Sequence, residues 1–265
     1  MRGTDENAFS TGRTGITKRE MRIGVYILLV AFVIGIIAIS IITSVIKKTN
    51  KIYSEAVRIE SKEMYDQALS EGNANGLVYG KFTVSEPVKL EELNGTYGYI
   101  VRTKEKYTRH KKKKRAVTYK WDIVETEYFG PDTIKFMGHD YKADKFFVSE
   151  SLMRLDIDDS VLIKQGVFQY IRDGYVCEDD VTSSGDYRYN YSYLPIEFEG
   201  NMLVSFKNNE IEPVVKDSIE IVLCTIDERF ERLQFNEKSA PVIFWSGWII
   251  LIIVGSVIYL KIKKS

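Results

Sequence analysis

The residues of strongest chemical character form one run: Arg109, His110, Lys111, Lys112, Lys113, Lys114 and Arg115. Such a cluster suits anions: phospholipid head groups, acidic polymers or a partner's acidic face. Near an anionic membrane each cation contributes roughly 1 kcal/mol. The bland alternative is a solvated loop tip that keeps an exposed turn soluble. The surroundings sharpen the contrast. The chain carries 37 basic and 37 acidic residues, yet positions 47–241 hold 29 basic against 34 acidic, and without the run that region stands at −11. An acidic body bearing one basic patch says something about partners, not about fold.

Other reactive types are sparse. Cys177 and Cys224 are the only cysteines and His110 and His139 the only histidines. A Cys/His nucleophilic pair would require Cys177 or Cys224 beside His139, but no local signature surrounds any of them. The two cysteines could form a disulfide in an oxidising compartment, or they could be small buried hydrophobes. There is no Gly-x-Ser-x-Gly, phosphate-cradling glycine loop or His-Glu-x-x-His. Asp156, Asp158 and Asp159 cluster without the central Gly and terminal Glu of a calcium loop, so they read as an acidic turn. Tyr187, Tyr189, Tyr191 and Tyr193 alternate with Arg188, Asn190 and Ser192. A strand turns such a series to one face, suited to stacking on sugars or, more simply, to a sheet's buried side. No enzyme, cofactor or metal is expected from these residues.

The elements that must position them begin with two apolar runs free of ionisable residues, 23–46 and 242–260. Each is long enough as a helix to cross a hydrocarbon core of about 30 Å. The first follows a polar tail and lacks a small-x-small cleavage site, so it reads as an uncleaved anchor. The second follows Pro241, a residue suited to the first turn of a helix, with Trp245, Trp248 and Tyr259 toward its ends as interfacial aromatics. The expected organisation is a cytoplasmic tail (1–22), a transmembrane helix (23–46), a helical stalk (47–76), a β-rich extramembrane domain (77–226), a juxtamembrane helix (227–241), a second transmembrane helix (242–260) and a tail (261–265). The cationic tails place both termini in the cytoplasm and the central domain outside it. The fold class is thus an α+β membrane protein.

Within the domain, 77–84 reads as a strand, and 97–107 with 117–129 as the arms of a long hairpin whose tip is the basic run. Val117, Tyr119, Trp121 and Ile123 alternate with Thr118, Lys120 and Asp122, the period of a half-buried strand. Residues 149–155 read as a short capped helix. Further strands are expected at 161–170, 175–176, 187–193, 203–206 and 219–226, with a turn at Asp173-Gly174.

Several stretches resemble the LUMA (transmembrane protein 43-like) family. They are Asn75 to Gly80, Lys106-Tyr107 with the cation-rich turn, Val117 to Trp121, Lys145 to Leu152, and Gly185 to Tyr193. The resemblance spans most of the chain and implies an N-terminal span, a large middle domain and a scaffold that self-associates and organises other membrane proteins. It implies no catalytic residues. The family usually carries several C-terminal spans, whereas this chain has room for one. A weaker similarity is to the GIDE-type domain of two-span organelle ubiquitin ligases, but no RING cysteines follow the second span. The expected function is therefore a non-enzymatic membrane scaffold. Its partners would be the lipid bilayer, further copies of itself or other membrane proteins, and not nucleic acid. The alternative is a tethered binding module whose hairpin, through Arg109 and Lys111 to Arg115, engages anionic lipid or envelope polymer.

Overall fold

A computed structural model describes residues 18–72, 74–111, 117–148, 152–163, 169–178, 186–215 and 217–264. They form two compact units, one of helices (up to Ser54 and from Phe230) and one β-rich (Glu55–Arg229). Two long apolar helices flank a β-rich region, an α+β arrangement.

The helical unit is built from α1 (Lys18–Glu55) and α3 (Ile226–Lys264). Both are long and apolar enough to cross a membrane. They pack side by side. Gly35 is buried where a Cβ would lie 2.8 Å from Trp248 Nε1 and 3.1 Å from the Trp245 ring. Only a glycine admits both indoles there, the close approach that small residues allow between membrane helices. Trp245 also packs on Phe32 with centroids 5.4 Å apart, and Trp248 Nε1 donates to the Ala31 carbonyl at 3.1 Å. Two tryptophans read from the sequence as interfacial therefore serve the helix–helix contact. Nearer the β-rich end Asn50 Nδ2 donates to Glu237 Oε2 at 2.7 Å. Pro241 lies inside α3, not at its start. The helix begins instead where Thr225 and Glu228 cap each other, Thr225 N–H donating to Glu228 Oε2 (2.9 Å) and Glu228 N–H to Thr225 Oγ1 (3.3 Å).

The expected stalk is not one helix. After α1 the chain forms β1 (Val57–Ile59), then α2 (Lys62–Glu71). β1 lies parallel to Gly76-Leu77-Val78, and Ile59 is buried. Burial of Ile59 and pairing with residues 76–78 override a helix-favouring composition. Ser61 caps α2 by accepting from Met64 N–H, and Gly72 ends it in the left-handed conformation at φ 68°.

The strands that follow are β2 (Asn75–Val84), β3 (Tyr99–Lys111), β4 (Val117–Phe129), β5 (Thr133–Phe136), β6 (His139–Lys142), β7 (Phe146–Val148), β8 (Met153–Arg154), β9 (Gln169–Arg172), β10 (Tyr175–Glu178), β11 (Tyr187–Leu194), β12 (Glu197–Lys207), β13 (Glu210–Pro213) and β14 (Ile219–Val222). The helix expected at 149–155 is corrected in its described part: Met153 and Arg154 pair with Tyr193 and Ser192 as strand β8.

Two sheets result. The first has the order β6-β5-β2-β12-β14-β7, with β1 on β2 and β13 on β12. Its core holds Tyr65 of α2 with Phe82, Phe136, Met202, Phe206 and Ile221. The second runs β4-β3-β11-β10-β9, with β8 also on β11. Its inner face covers Leu93, Ile100, Leu162, Val176 and Tyr191. The chain changes sheet where Gly98 N–H donates to Leu194 O (2.9 Å) and Val84 N–H to Ile196 O (2.9 Å). A Cβ on Gly98 would sit 2.3 Å from the Pro195 carbonyl oxygen, so this seam requires glycine.

Candidate functional site

The β3–β4 hairpin is the longest pairing in the second sheet, running from Ile100↔Phe129 to Lys111↔Val117. Its register slips between Lys104 and Glu105, which oppose Glu125 and Ile123, so Val124 is a bulged extra residue. The predicted cations divide accordingly. Arg109 is exposed near the end of β3, opposite Tyr119, and Lys111 ends that strand. Lys112, Lys113, Lys114 and Arg115 fall in the link between the arms, outside the described residues.

The tyrosine series behaves mainly as core. Tyr191 is buried, and Tyr189 and Tyr193 pack against the same cluster. Tyr187 lies outside that cluster and is covered by cations, with Lys104 Nζ 4.7 Å and Lys106 Nζ 5.0 Å from its ring centroid. A polar cavity of about 200 Å³ opens beside this face. Within it Arg102 binds Glu92 at 2.5 Å and Glu127 at 2.6 Å. Burial opposes the charge on Arg102, but the hydrogen bonds to Glu127 and Glu92 outweigh it and hold its pKa above the ordinary value. Burial raises the Tyr191 phenol, helped by the Glu92 carboxylate. These charges answer one another, so the cavity holds a closed internal network.

The opposite, outward face holds an arrangement that strand patterning did not disclose. Arg188 pairs with Glu105 and lies over two rings, 4.4 Å from the Trp121 centroid and 4.0 Å from that of Tyr175. Arg154 lies 4.6 Å from the same Tyr175 ring. On the other side Tyr107 contacts Trp121 at 5.2 Å and stacks on Tyr119 at 5.5 Å with 16° between planes. The result is a ladder, Arg154–Tyr175–Arg188–Trp121–Tyr107–Tyr119, crossing five strands and ending at the residue opposite Arg109. A groove of about 340 Å³ runs along it, bordered also by Tyr170, Arg172, Asp173, Cys177 and Asp186. Guanidinium groups stack on aromatic faces because charge meets the ring quadrupole while the flat apolar surface stays covered. The signal available beforehand was Arg188 itself, an arginine where the neighbouring polar positions are Asn190 and Ser192.

The remaining candidates lie in local contacts of the β-rich unit. Cys177 is a buried thiol in β10 of the second sheet, and Cys224 a buried thiol just after β14 of the first. They are buried thiols not joined to each other, the arrangement of the buried-hydrophobe alternative. Asn201 Nδ2 donates to the Cys224 carbonyl at 2.7 Å. His139 Nε2 bonds Asp66 Oδ1 at 2.8 Å, and its ring lies 5.8 Å from that of Tyr65. Tyr65 and Tyr141 share a hydroxyl contact of 2.6 Å, and burial raises both phenols. Asp158 accepts from Ser160 N–H (2.9 Å) and Val161 N–H (3.1 Å), closing the acidic turn. Among the described residues no group of three His, Cys, Asp or Glu side chains is placed to hold a metal ion. Comparison with known proteins gave no match to a family model, to a curated protein or to a solved structure.

Proposed function

We propose that this is a non-enzymatic, membrane-anchored scaffold whose β-rich unit self-associates or organises other membrane proteins. In this reading both apolar helices span the bilayer, the termini are cytoplasmic and the β-rich unit lies on the other side. The observation that carries it is the helix pair. Gly35, Trp245, Trp248 and Ala31 lock α1 and α3 together, so the anchor is a built element and not two independent tethers. An anchor of that kind confines the β-rich unit to a layer beside the bilayer and raises its effective concentration for lateral partners. The LUMA-type resemblance points the same way.

Self-association by strand addition along β4 is disfavoured. The bulge at Val124 bends that edge, and Lys120, Asp122, Glu125 and Glu127 line it with charge, both recognised means of blocking edge-to-edge pairing. The scaffold would therefore use faces. The test is the mass of the full chain in lipid nanodiscs loaded over a range of ratios. Assemblies above the 30.6 kDa monomer are expected. A monomer at every ratio, with no other membrane protein captured by cross-linking in its own membrane, would remove the scaffold reading.

A second reading is favoured by the hairpin. Two paired arms of 13 residues, about 40 Å long at the rise of an extended strand, lead to the basic run. This suits a tethered module that presents cations to an anionic surface. Neutralising Lys111 to Lys114 is expected to weaken binding of the nanodisc-held chain to phosphatidylserine vesicles while leaving assembly size intact. Unchanged binding would remove this reading.

A further inference from the structure

The outward face of the second sheet carries an uncovered apolar stripe along its edge. On β4, Tyr119, Ile123 and Tyr128 are 54%, 66% and 67% exposed. They oppose Arg109, Glu105 and Val101, all odd-numbered positions of β3 and so on one face. Strict alternation from Ile123 would send Tyr128 to the other face. The bulge at Val124 returns it to the stripe, and Val124 itself is half exposed. The ladder residues Tyr107 and Trp121 border the stripe inwardly.

Charge on this face is unevenly placed. Arg109 stands at the distal end of the stripe, beside the start of the basic run. Arg188 is answered by Glu105, and among the described residues bordering the groove the carboxylates Asp173 and Asp186 lie on its far side, next to β9 and β11. The β4 side is thus apolar and aromatic with cations at one end. That is the composition of a surface lying in the head-group region of a bilayer, where Tyr and Trp rings settle and Arg meets phosphate. An apolar patch of this kind on a β unit joined at both ends to membrane-length helices has a lipid surface always within reach.

We propose that the outward face of β4, through Tyr119, Ile123 and Tyr128 with Arg109 at its end, docks onto the anionic surface of the bilayer that carries the chain. This rests on the hairpin reading and extends it: the hairpin lies on lipid along its length and does not touch it only through its tip.

The test places a nitroxide on the full chain reconstituted into phosphatidylcholine vesicles, with and without phosphatidylserine. The label sits in turn at Ile123→Cys, Tyr128→Cys, Lys113→Cys and, as an exposed control on α2, Met64→Cys. Labelling of the parent chain sets the background from the buried Cys177 and Cys224. Collisions with lipid-soluble oxygen and with a water-soluble nickel chelate are compared. The expected result is a several-fold higher oxygen-to-nickel ratio at 123 and 128 than at 64 in phosphatidylserine vesicles, reduced by Arg109→Glu. A raised ratio equal with and without phosphatidylserine would overturn docking on an anionic surface. Ratios at 123 and 128 equal to that at 64 would overturn it, as would shielding from both reagents, the mark of a protein partner on this face. The Lys113 label separates the two ideas. If 113 reports head-group proximity while 123 and 128 stay in water, the hairpin reading stands and the face docking falls. If 113 is also in water, both fall.

Discussion

Single residues here are constrained by what they touch more than by their type. Arg188 is held by Glu105 and by the flat faces of Trp121 and Tyr175. Arg188→Ala would leave a largely covered carboxylate without its cation and two rings without a filler, and should destabilise the β-rich unit by about 2 kcal/mol. Arg188→Lys restores charge but not the planar stack, and should recover less than half of that loss, read by denaturant unfolding. Asp66 offers a test by pH. Hydrogen bonds first from Lys62 and then from His139 hold its carboxyl below its ordinary value of 3.8. Its folded pKa is depressed, so its contribution is fully present above that ordinary value and fades as pH falls through the folded one. Asp66→Asn should flatten the acid side of the stability profile and leave the neutral region's slope unchanged, measured as melting temperature against pH.

At the scale of elements, a small residue decides whether two helices become one anchor. Gly35→Leu would drive a side chain into Trp248 and Trp245, so α1 and α3 should separate or shift, at a cost of about 1–3 kcal/mol. The expected readout is altered tryptophan emission together with a lower melting temperature in detergent. Unchanged emission would mean that the helices hold together without this contact. The hairpin shows a second device of the same kind. One extra residue, Val124, places Tyr128 beside Ile123 on the outward face and bends an otherwise inviting edge strand. The stop of α2 was legible: clustered Gly and Asn after residue 70 mark the end at Gly72, where glycine takes the left-handed conformation. The break at β1 was not legible, because its cause is the distant pairing with β2.

The whole molecule combines two apolar helices with an acidic β-rich unit bearing a basic hairpin. The membrane topology proposed above can be measured with single cysteines introduced at the hairpin tip and an impermeant thiol reagent. Labelling of intact cells is expected. Labelling only after permeabilisation would reverse the orientation and set the cations against the inner leaflet. The sequence alone determined the two apolar helices, the strand at 77–84, the period-two strands at 117–129 and 187–193, and the position of the basic run between hairpin arms. Each of these is written in composition or in spacing of a few residues, the range over which chain geometry repeats. Only the tertiary structure decided which strands share a sheet, that Cys177 lies in the second sheet while Cys224 follows a strand of the first, and that Arg188 lies over the rings of Trp121 and Tyr175. Those outcomes depend on contacts between residues tens of positions apart, won by burial and close packing, for which local pattern carries no signal.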